Sequence, residues 1–350
     1  MNGRRKQWER HHAPVNARRR QASSARILRV HRLRRAASVL LFAMTAAALA
    51  AVDNSADDYS QRLDALWDFD HPIVSEARFR AEAEQHPPQS REAAEAWTQV
   101  ARSQGLQRHF TESDTTLDTI ERTLGTQPAR VRVRYLLERG RRQNSSGQAA
   151  QAMHWFERAL SASAEDQLPG AAYYRVDTLH MLAIAAPADK QLDWHRKALA
   201  AAESASDART RGWRGSLLHN LGWTMHDKGD YTAALGYWKQ ALAAREAAHD
   251  VPRTRIARWT VARGLRSLGR LDEAEAIQRA LVEEFAAANA PDGYVFEELA
   301  EITVAKGDRV AARSWAARAH ALLSEDADLR ASDPTRLARL AELAQQVPGR

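Results

Sequence analysis

From Leu217 to Leu242 the apolar positions follow helical spacing twice over. Leu218, Leu221, Gly222 and Met225 form one stripe, Gly229-Asp230 interrupts it, and Tyr231, Ala234, Leu235, Trp238, Ala241 and Leu242 form a second. Apolar residues three and four apart share one helix face, and glycine followed by aspartate marks a break, so the stretch predicts two helices joined by a tight turn. The small residues Gly222, Ala234 and Ala241 let the helix axes approach closely, while Tyr231 and Trp238 fill the space between neighbouring pairs.

A lone helical pair cannot bury both of its faces, and the chain repeats the unit. Ala234 follows Gly229 by five residues, as Ala152 follows Gly147, Ala274 follows Gly269 and Ala312 follows Gly307. Successive glycines stand 82, 40 and 38 residues apart, so the first interval spans two periods and contains a degenerate unit, 172–205, that lacks the turn glycine and has Pro187 ending its first helix. Upstream, 91–104 and 111–124 form a hairpin with Arg108-His109 at its turn and Val100 and Ala101 facing inward. The next hairpin carries Gly140, Trp155, Phe156, Ala159 and Leu160 around Gly147. Units at about 255–288 and 293–326 follow; there Gln278 and Leu281 replace Trp238 and Ala241, which predicts looser or shifted packing between units. The pattern resembles the tetratricopeptide repeat in its small Gly222, turn Gly229, alanines Ala234 and Ala241 and aromatic Trp238. It departs from that pattern at Met225, where an aromatic is usual, and in having no proline near Glu246. The resemblance spans roughly 91–326 and implies an all-α fold, an α-solenoid wound as a right-handed superhelix of about six helical hairpins.

The ends read as caps. Residues 53–89 form an N-terminal helical cap, with helices over 59–69 and 75–85 closed by Pro87-Pro88; 90–332 is the solenoid; and 333–350 is a C-terminal capping helix. That last helix opens on Asp333-Pro334, an N-cap followed by proline at the first helical position, and carries Leu337, Leu340 and Leu343. Residues 1–35 are basic and polar, which predicts disorder. The uncharged run 36–52 follows Arg34-Arg35 and ends in Ala48-Leu49-Ala50, the small-x-small mark of a signal peptide. It is short for a membrane span, which needs about 20 apolar residues, so an uncleaved anchor is the alternative. A periplasmic or secreted protein is expected, touching membrane only through an uncleaved 36–52.

The pI of 9.9 invites a nucleic-acid partner, but the charge is local. Residues 1–35 carry 12 Arg or Lys against the single acid Glu9, which leaves 39 basic and 43 acidic residues from the chain's 51 and 44. The body is mildly acidic and offers no concentrated positive face for phosphates. Absence of cysteine excludes disulfides, thiol nucleophiles, cysteine zinc sites and acylation at a lipoprotein cysteine.

The sequence contains no glycine-rich phosphate loop, HExxH pair or nucleophile elbow. His219 and His226 lie seven residues apart, about 10 Å along one helix, too far to share an ion unaided, and read as unpaired surface histidines. Met153, Met181 and Met225 read as packing residues. No catalytic, metal or cofactor residue is assigned, and an enzyme using His180 or His219 as base lacks a nucleophile and an orienting acid at readable spacing.

In the architecture that the resemblance implies, the first helix of each pair lines the concave side. Projecting those helices gives Asp177 and His180; His219, Asn220 and Trp223; Trp259, Arg263 and Arg266; and Tyr294, Glu297 and Glu301. Such residues could anchor an extended peptide by stacking and charge-assisted hydrogen bonds, with an acidic group beside Arg263 and a basic one beside Glu297. Alternatively, Trp223 and Trp259 are structural and the charges form a mutually paired face. The Lys and Asn clamp that holds a terminal carboxylate in some members of the family is not reproduced, because Trp223 stands where Asn would be wanted. The expected function is a non-enzymatic scaffold or adaptor for a protein or peptide partner; the alternative is a small-ligand sensor using the same groove.

Overall fold

The computed structural model describes residues 59–164 and 170–345, so the leader, the 36–52 segment, the start of the N-terminal cap and the last five residues lie outside the described residues. Those described form two compact units, 59–186 and 187–345. Both are helical, with no strand among the described residues.

The N-terminal unit begins with the cap, α1 (59–65) and α2 (Pro72–Glu84). The hairpin α3 (Arg91–Leu106) and α4 (Phe110–Glu121) follows. Next come the hairpin α5 (Ala129–Ser145) and α6 (Ala149–Ala162), and then α7 (Ala171–Ala185). The cap is a true continuation of the stack: Tyr59, Leu63, Phe79 and Ala83 bury against Ala96 and Val100 of α3, and the Tyr59 hydroxyl donates to the Glu92 carbonyl at 3.0 Å.

The C-terminal unit holds α8 (Ala188–Glu203) and the short α9 (Ala208–Arg211). Three hairpins follow: α10 (Arg214–Asp227) with α11 (Tyr231–Ala247), α12 (Val251–Ser267) with α13 (Leu271–Ala287), and α14 (Gly293–Ala305) with α15 (Arg309–Leu323). The unit closes with α16 (Ala327–Ser332) and α17 (Pro334–Gln345). The expected closing cap is present, with Asp333 accepting from the Arg336 backbone N–H at 3.2 Å and Leu337 and Leu340 buried against Phe296, Leu323 and Leu329. The fold is an α-solenoid of helical hairpins.

The hairpin turns explain the repeated glycine. Gly147, Gly229, Gly269 and Gly307 take φ between 73° and 86°, a left-handed conformation that costs a residue with a Cβ about 1–2 kcal/mol. At the first hairpin Arg108 stands in the same place and takes the same conformation, φ 65°. After two of these glycines an aspartate caps the next helix, Asp230 accepting from Ala233 N–H and Asp308 from Ala311 N–H, both at 2.9 Å.

Within a hairpin, a residue seven before the turn faces one nine after it. Gly140 is paired with Phe156 and Gly222 with Trp238, and a Cβ on either glycine would come within 2.3 Å or 2.2 Å of the opposing ring. The corresponding positions in the other hairpins are Ala101 and Leu117, Ala262 and Gln278, and Ala300 and Ala316, all buried. The small partner and the large one vary together, as close packing of facing helices requires.

The expectation of looser packing is corrected. Packing at Gln278 and Leu281 is not looser, since both are fully buried and Gln278 Nε2 donates to the Trp259 carbonyl at 3.4 Å. The degenerate unit 172–205 does contain two helices, α7 and α8, but the division between compact units falls between them, at Ala186 and Pro187. A six-residue helix, α16, was also not foreseen.

Candidate functional site

In the N-terminal unit the inward residues of the first helices are mainly engaged with one another. Glu95 of α3 is buried and receives Arg130 Nε of α5 at 2.8 Å, with Arg134 Nε at 3.4 Å. Arg134 also donates to the Ser60 hydroxyl at 2.7 Å. Asp177 of α7 is buried against Arg141 of α5, whose other nitrogen reaches Glu138 at 2.5 Å. Burial pushes the Asp177 carboxyl up, but the charges of Arg141 and Arg102 outweigh it and hold the group below the usual carboxylate range. His180 is half-buried.

The C-terminal unit follows the same principle with aromatic rings added. His219 is buried and accepts the Trp223 indole N–H at Nε2, 2.8 Å, so its neutral ring carries the proton on Nδ1. The His219 backbone carbonyl accepts Trp238 Nε1 at 3.1 Å. Trp223 packs edge-on to Trp238 with centroids 5.1 Å apart and lies 6.3 Å from Trp259. Trp259 is buried and donates to the Tyr294 carbonyl at 3.0 Å, tying α12 to α14. His226 Nε2 lies 2.9 Å from Ser267 Oγ, tying α10 to α12. The two histidines are therefore not unpaired surface residues: His219 is bonded to Trp223, and His226 pairs with Ser267 at the end of α12. Burial first, then the charges of Arg263 and Arg266, pulls the His226 pKa down to about 4.

The charged residues group differently from the sequence projection. Arg263 Nη1 reaches Glu298 Oε2 at 3.2 Å and Arg266 Nε reaches Glu298 Oε1 at 2.5 Å. Glu298, absent from the candidate set, is fully buried and serves both. Glu297 accepts Arg336 Nε of α17 at 2.7 Å, and Glu301 pairs with Arg339. Glu297 is consequently unavailable to a basic group on a partner. Glu298 was missed because helical projection alone places it with the core. A usable signal was present, however: Glu95 and Arg130, Arg141 and Asp177, and Arg263 and Glu298 are each 35 or 36 residues apart, close to one repeat, which sets opposite charges on neighbouring first helices.

Of the predicted residues, Asp177, His219, Asn220, Trp259 and Glu297 are buried, while His180, Trp223, Arg263, Arg266, Tyr294 and Glu301 retain partial exposure. The exposed set offers rings and guanidiniums, the chemistry of non-covalent recognition. Among the described residues no group of three or more His, Asp or Glu is placed to hold a metal ion, and no helix is long and apolar enough to cross a membrane.

Residues 215–251, from α10 to the first residue of α12, match the sequence profile of the tetratricopeptide repeat. This segment is a tetratricopeptide repeat. It holds the Gly222–Trp238 pair, the Gly229 turn and the His219–Trp223 contact. No curated protein matches the chain. Among solved structures, the apo form of RapI is similar at TM-score 0.60 and 10% identity, covering 84% of this chain and 82% of that one. A signal-transduction ATPase with a tetratricopeptide repeat sensor from Pyrococcus horikoshii is similar at 0.56 and 12% identity, covering 77% of this chain and 41% of that one. Aspartyl phosphate phosphatase F from Bacillus subtilis is similar at 0.50 and 13% identity, covering 78% and 76%. These likenesses concern the fold.

Proposed function

We propose that the chain is a non-enzymatic scaffold or adaptor that binds a protein or peptide segment across the first-helix face of its C-terminal unit. The observation that carries this reading is the pair Trp223 and Arg263. The guanidinium lies 5.9 Å from the centre of the half-exposed indole, and both groups are held from beneath, the ring by Trp238 and His219, the guanidinium by Glu298. An anchor fixed before binding loses little rotamer freedom on association, which is what distinguishes interaction hot spots from ordinary surface. Around it Arg263 and Arg266 share Glu298, while Arg336 and Arg339 pair with Glu297 and Glu301. Two guanidiniums sharing the one carboxylate of Glu298 favour a partner segment with an acidic group next to an apolar side chain.

On this reading 36–52 is a signal peptide and the protein acts in the periplasm or outside the cell, with retention of that segment as a membrane anchor the variant case. N-terminal sequencing of the mature protein tests export; a terminus upstream of residue 36 contradicts a cleaved signal. Affinity capture from the native compartment, comparing the natural chain with Trp223→Ala and Arg263→Glu, tests binding. Partners retained equally by all three chains contradict the proposed face.

A further inference from the structure

The N-terminal unit contains an arginine that its neighbours do not satisfy, and we propose that Arg102 anchors a second binding site, one that takes a carboxylate carried by a peptide. Arg102 is half-buried on α3. Its guanidinium carbon lies 5.1 Å from the centre of the Trp67 ring and 5.6 Å from that of Phe69. These two rings are stacked, 4.5 Å apart and 5° from parallel. Phe79 packs edge-on against Trp67 at 4.8 Å, and Trp67 Nε1 donates to Gln99 Oε1 at 3.3 Å. The ring pair is therefore held by Phe79 and Gln99, and Arg102 lies against both rings one helical turn beyond Gln99.

The inward arginines of α5 meet carboxylates directly: Arg130 and Arg134 at Glu95, and Arg141 at both Glu138 and Asp177. Arg102 is held by its aromatic contacts alone; among the described residues it makes no hydrogen bond and no ion pair within 4 Å. Glu138 and Asp177 act on it only through their charge, since Arg141 holds both. Burial, and after it the charge of Arg141, lowers the Arg102 pKa in spite of those two acids. The position thus favours an incoming negative charge. A guanidinium seated on aromatic rings presents its N–H edge as a planar fork, which matches the two oxygens of a carboxylate. A single negative charge suits the place better than a phosphate dianion, which would set two charges beside Glu138 and Asp177. The ring platform next to the fork offers apolar contact to the residue that precedes or carries the carboxylate.

The test uses the immobilised full chain and hexapeptide pools that carry Glu or its isostere Gln at a scanned position, each with a free or an amidated C-terminus. Carboxylate-bearing pools should be retained roughly tenfold more than the Gln, amidated pool, the size expected of one charge-assisted bidentate contact. Comparison of the Glu, amidated pool with the Gln, free-terminus pool then distinguishes a side-chain from a terminal carboxylate. In an Arg263→Glu chain, which removes the acid-preferring face of the C-terminal unit, Arg102→Met should abolish the preference. Arg102→Lys, which keeps the charge and the stem but not the fork, should reduce it several-fold, with helical content unchanged by circular dichroism. Equal retention of carboxylate and neutral pools by the Arg263→Glu chain, or a preference there that survives both Arg102 substitutions, overturns the assignment. Trp223 belongs to the other unit, so peptides that are retained without carboxylate preference and lost on Trp223→Ala would leave the scaffold reading standing while removing this site.

Discussion

Trp238 and Gln278 do the same work in successive hairpins: each donates from its side chain to the backbone carbonyl 19 residues earlier, Trp238 to His219 at 3.1 Å and Gln278 to Trp259 at 3.4 Å. The bond fastens the second helix of a hairpin across its first. What changes between the two is volume, and the residue opposite changes with it, from Gly222 to Ala262.

This relationship predicts a compensating pair. Gly222→Ala would drive a methyl to within 2.2 Å of the Trp238 indole, and overpacking of this kind costs roughly 1–3 kcal/mol. Trp238→Gln in the same chain should recover most of the loss, because it recreates the Ala262–Gln278 pair. A double-mutant cycle by urea unfolding measures the coupling; additive losses would show that the two positions do not share the space.

At the hairpin turns, two substitutions should act with opposite sign. Gly229→Ala forces a Cβ into φ 81° and should destabilise by about 1 kcal/mol. Arg108→Gly relieves a left-handed arginine at φ 65° and should stabilise by roughly 0.5 kcal/mol, less whatever its contact with Phe110 contributes. Melting temperatures of the two variants decide the signs.

Much of this was legible in the sequence. Glycine at the turns and alanine five residues later carry local information, since one demands a backbone conformation and the other a close helix approach, and both report directly on fold. The turn at Arg108-His109 was legible only from the helical stripes on either side, because the left-handed conformation is there without the residue that normally signals it. The candidate site was harder to read for a related reason. Helical spacing fixes which face a residue lies on, but whether Arg263 meets Glu297, Glu298 or solvent depends on the offset between neighbouring first helices. That offset is set by packing of pairs such as Gly222 with Trp238.

Breaking the buried charge cluster should be costly. Glu95 is fully buried, and Arg130 and Arg134 beside it are only 2% and 6% exposed. Glu95→Gln leaves both guanidiniums without their carboxylate and should cost about 3 kcal/mol. The exposed pair Arg270 and Glu273 provides the contrast: Glu273→Gln should leave stability essentially unchanged. Equal effects in urea unfolding would contradict the role given to burial.

His226 sets a pH dependence. Its ring titrates at about 4 in the folded chain against 6.5 when unperturbed. Between those values the unfolded state binds more protons, so stability is full above about pH 6.5 and falls as pH drops toward 4. Allowing for screening of a partly exposed ring, the loss should be about 1–2 kcal/mol. Unfolding curves at about pH 7 and about pH 4.5 should differ less for His226→Gln than for the natural chain. An unchanged slope would assign the dependence to other groups.

The most direct test of the binding face is the affinity of a captured partner for Arg263→Ala and Trp223→Ala, measured by calorimetry together with each melting temperature. Arg263→Ala leaves Glu298 paired with Arg266, so the fold should persist while binding weakens by roughly 1–3 kcal/mol, the range for a lost charge-assisted contact at a hot spot. Trp223→Ala should weaken binding at least as much. Full affinity in both variants, with a collapsed melting temperature only for Trp223→Ala, would show that the ring and the guanidinium serve the core and its ion pairs and not a partner.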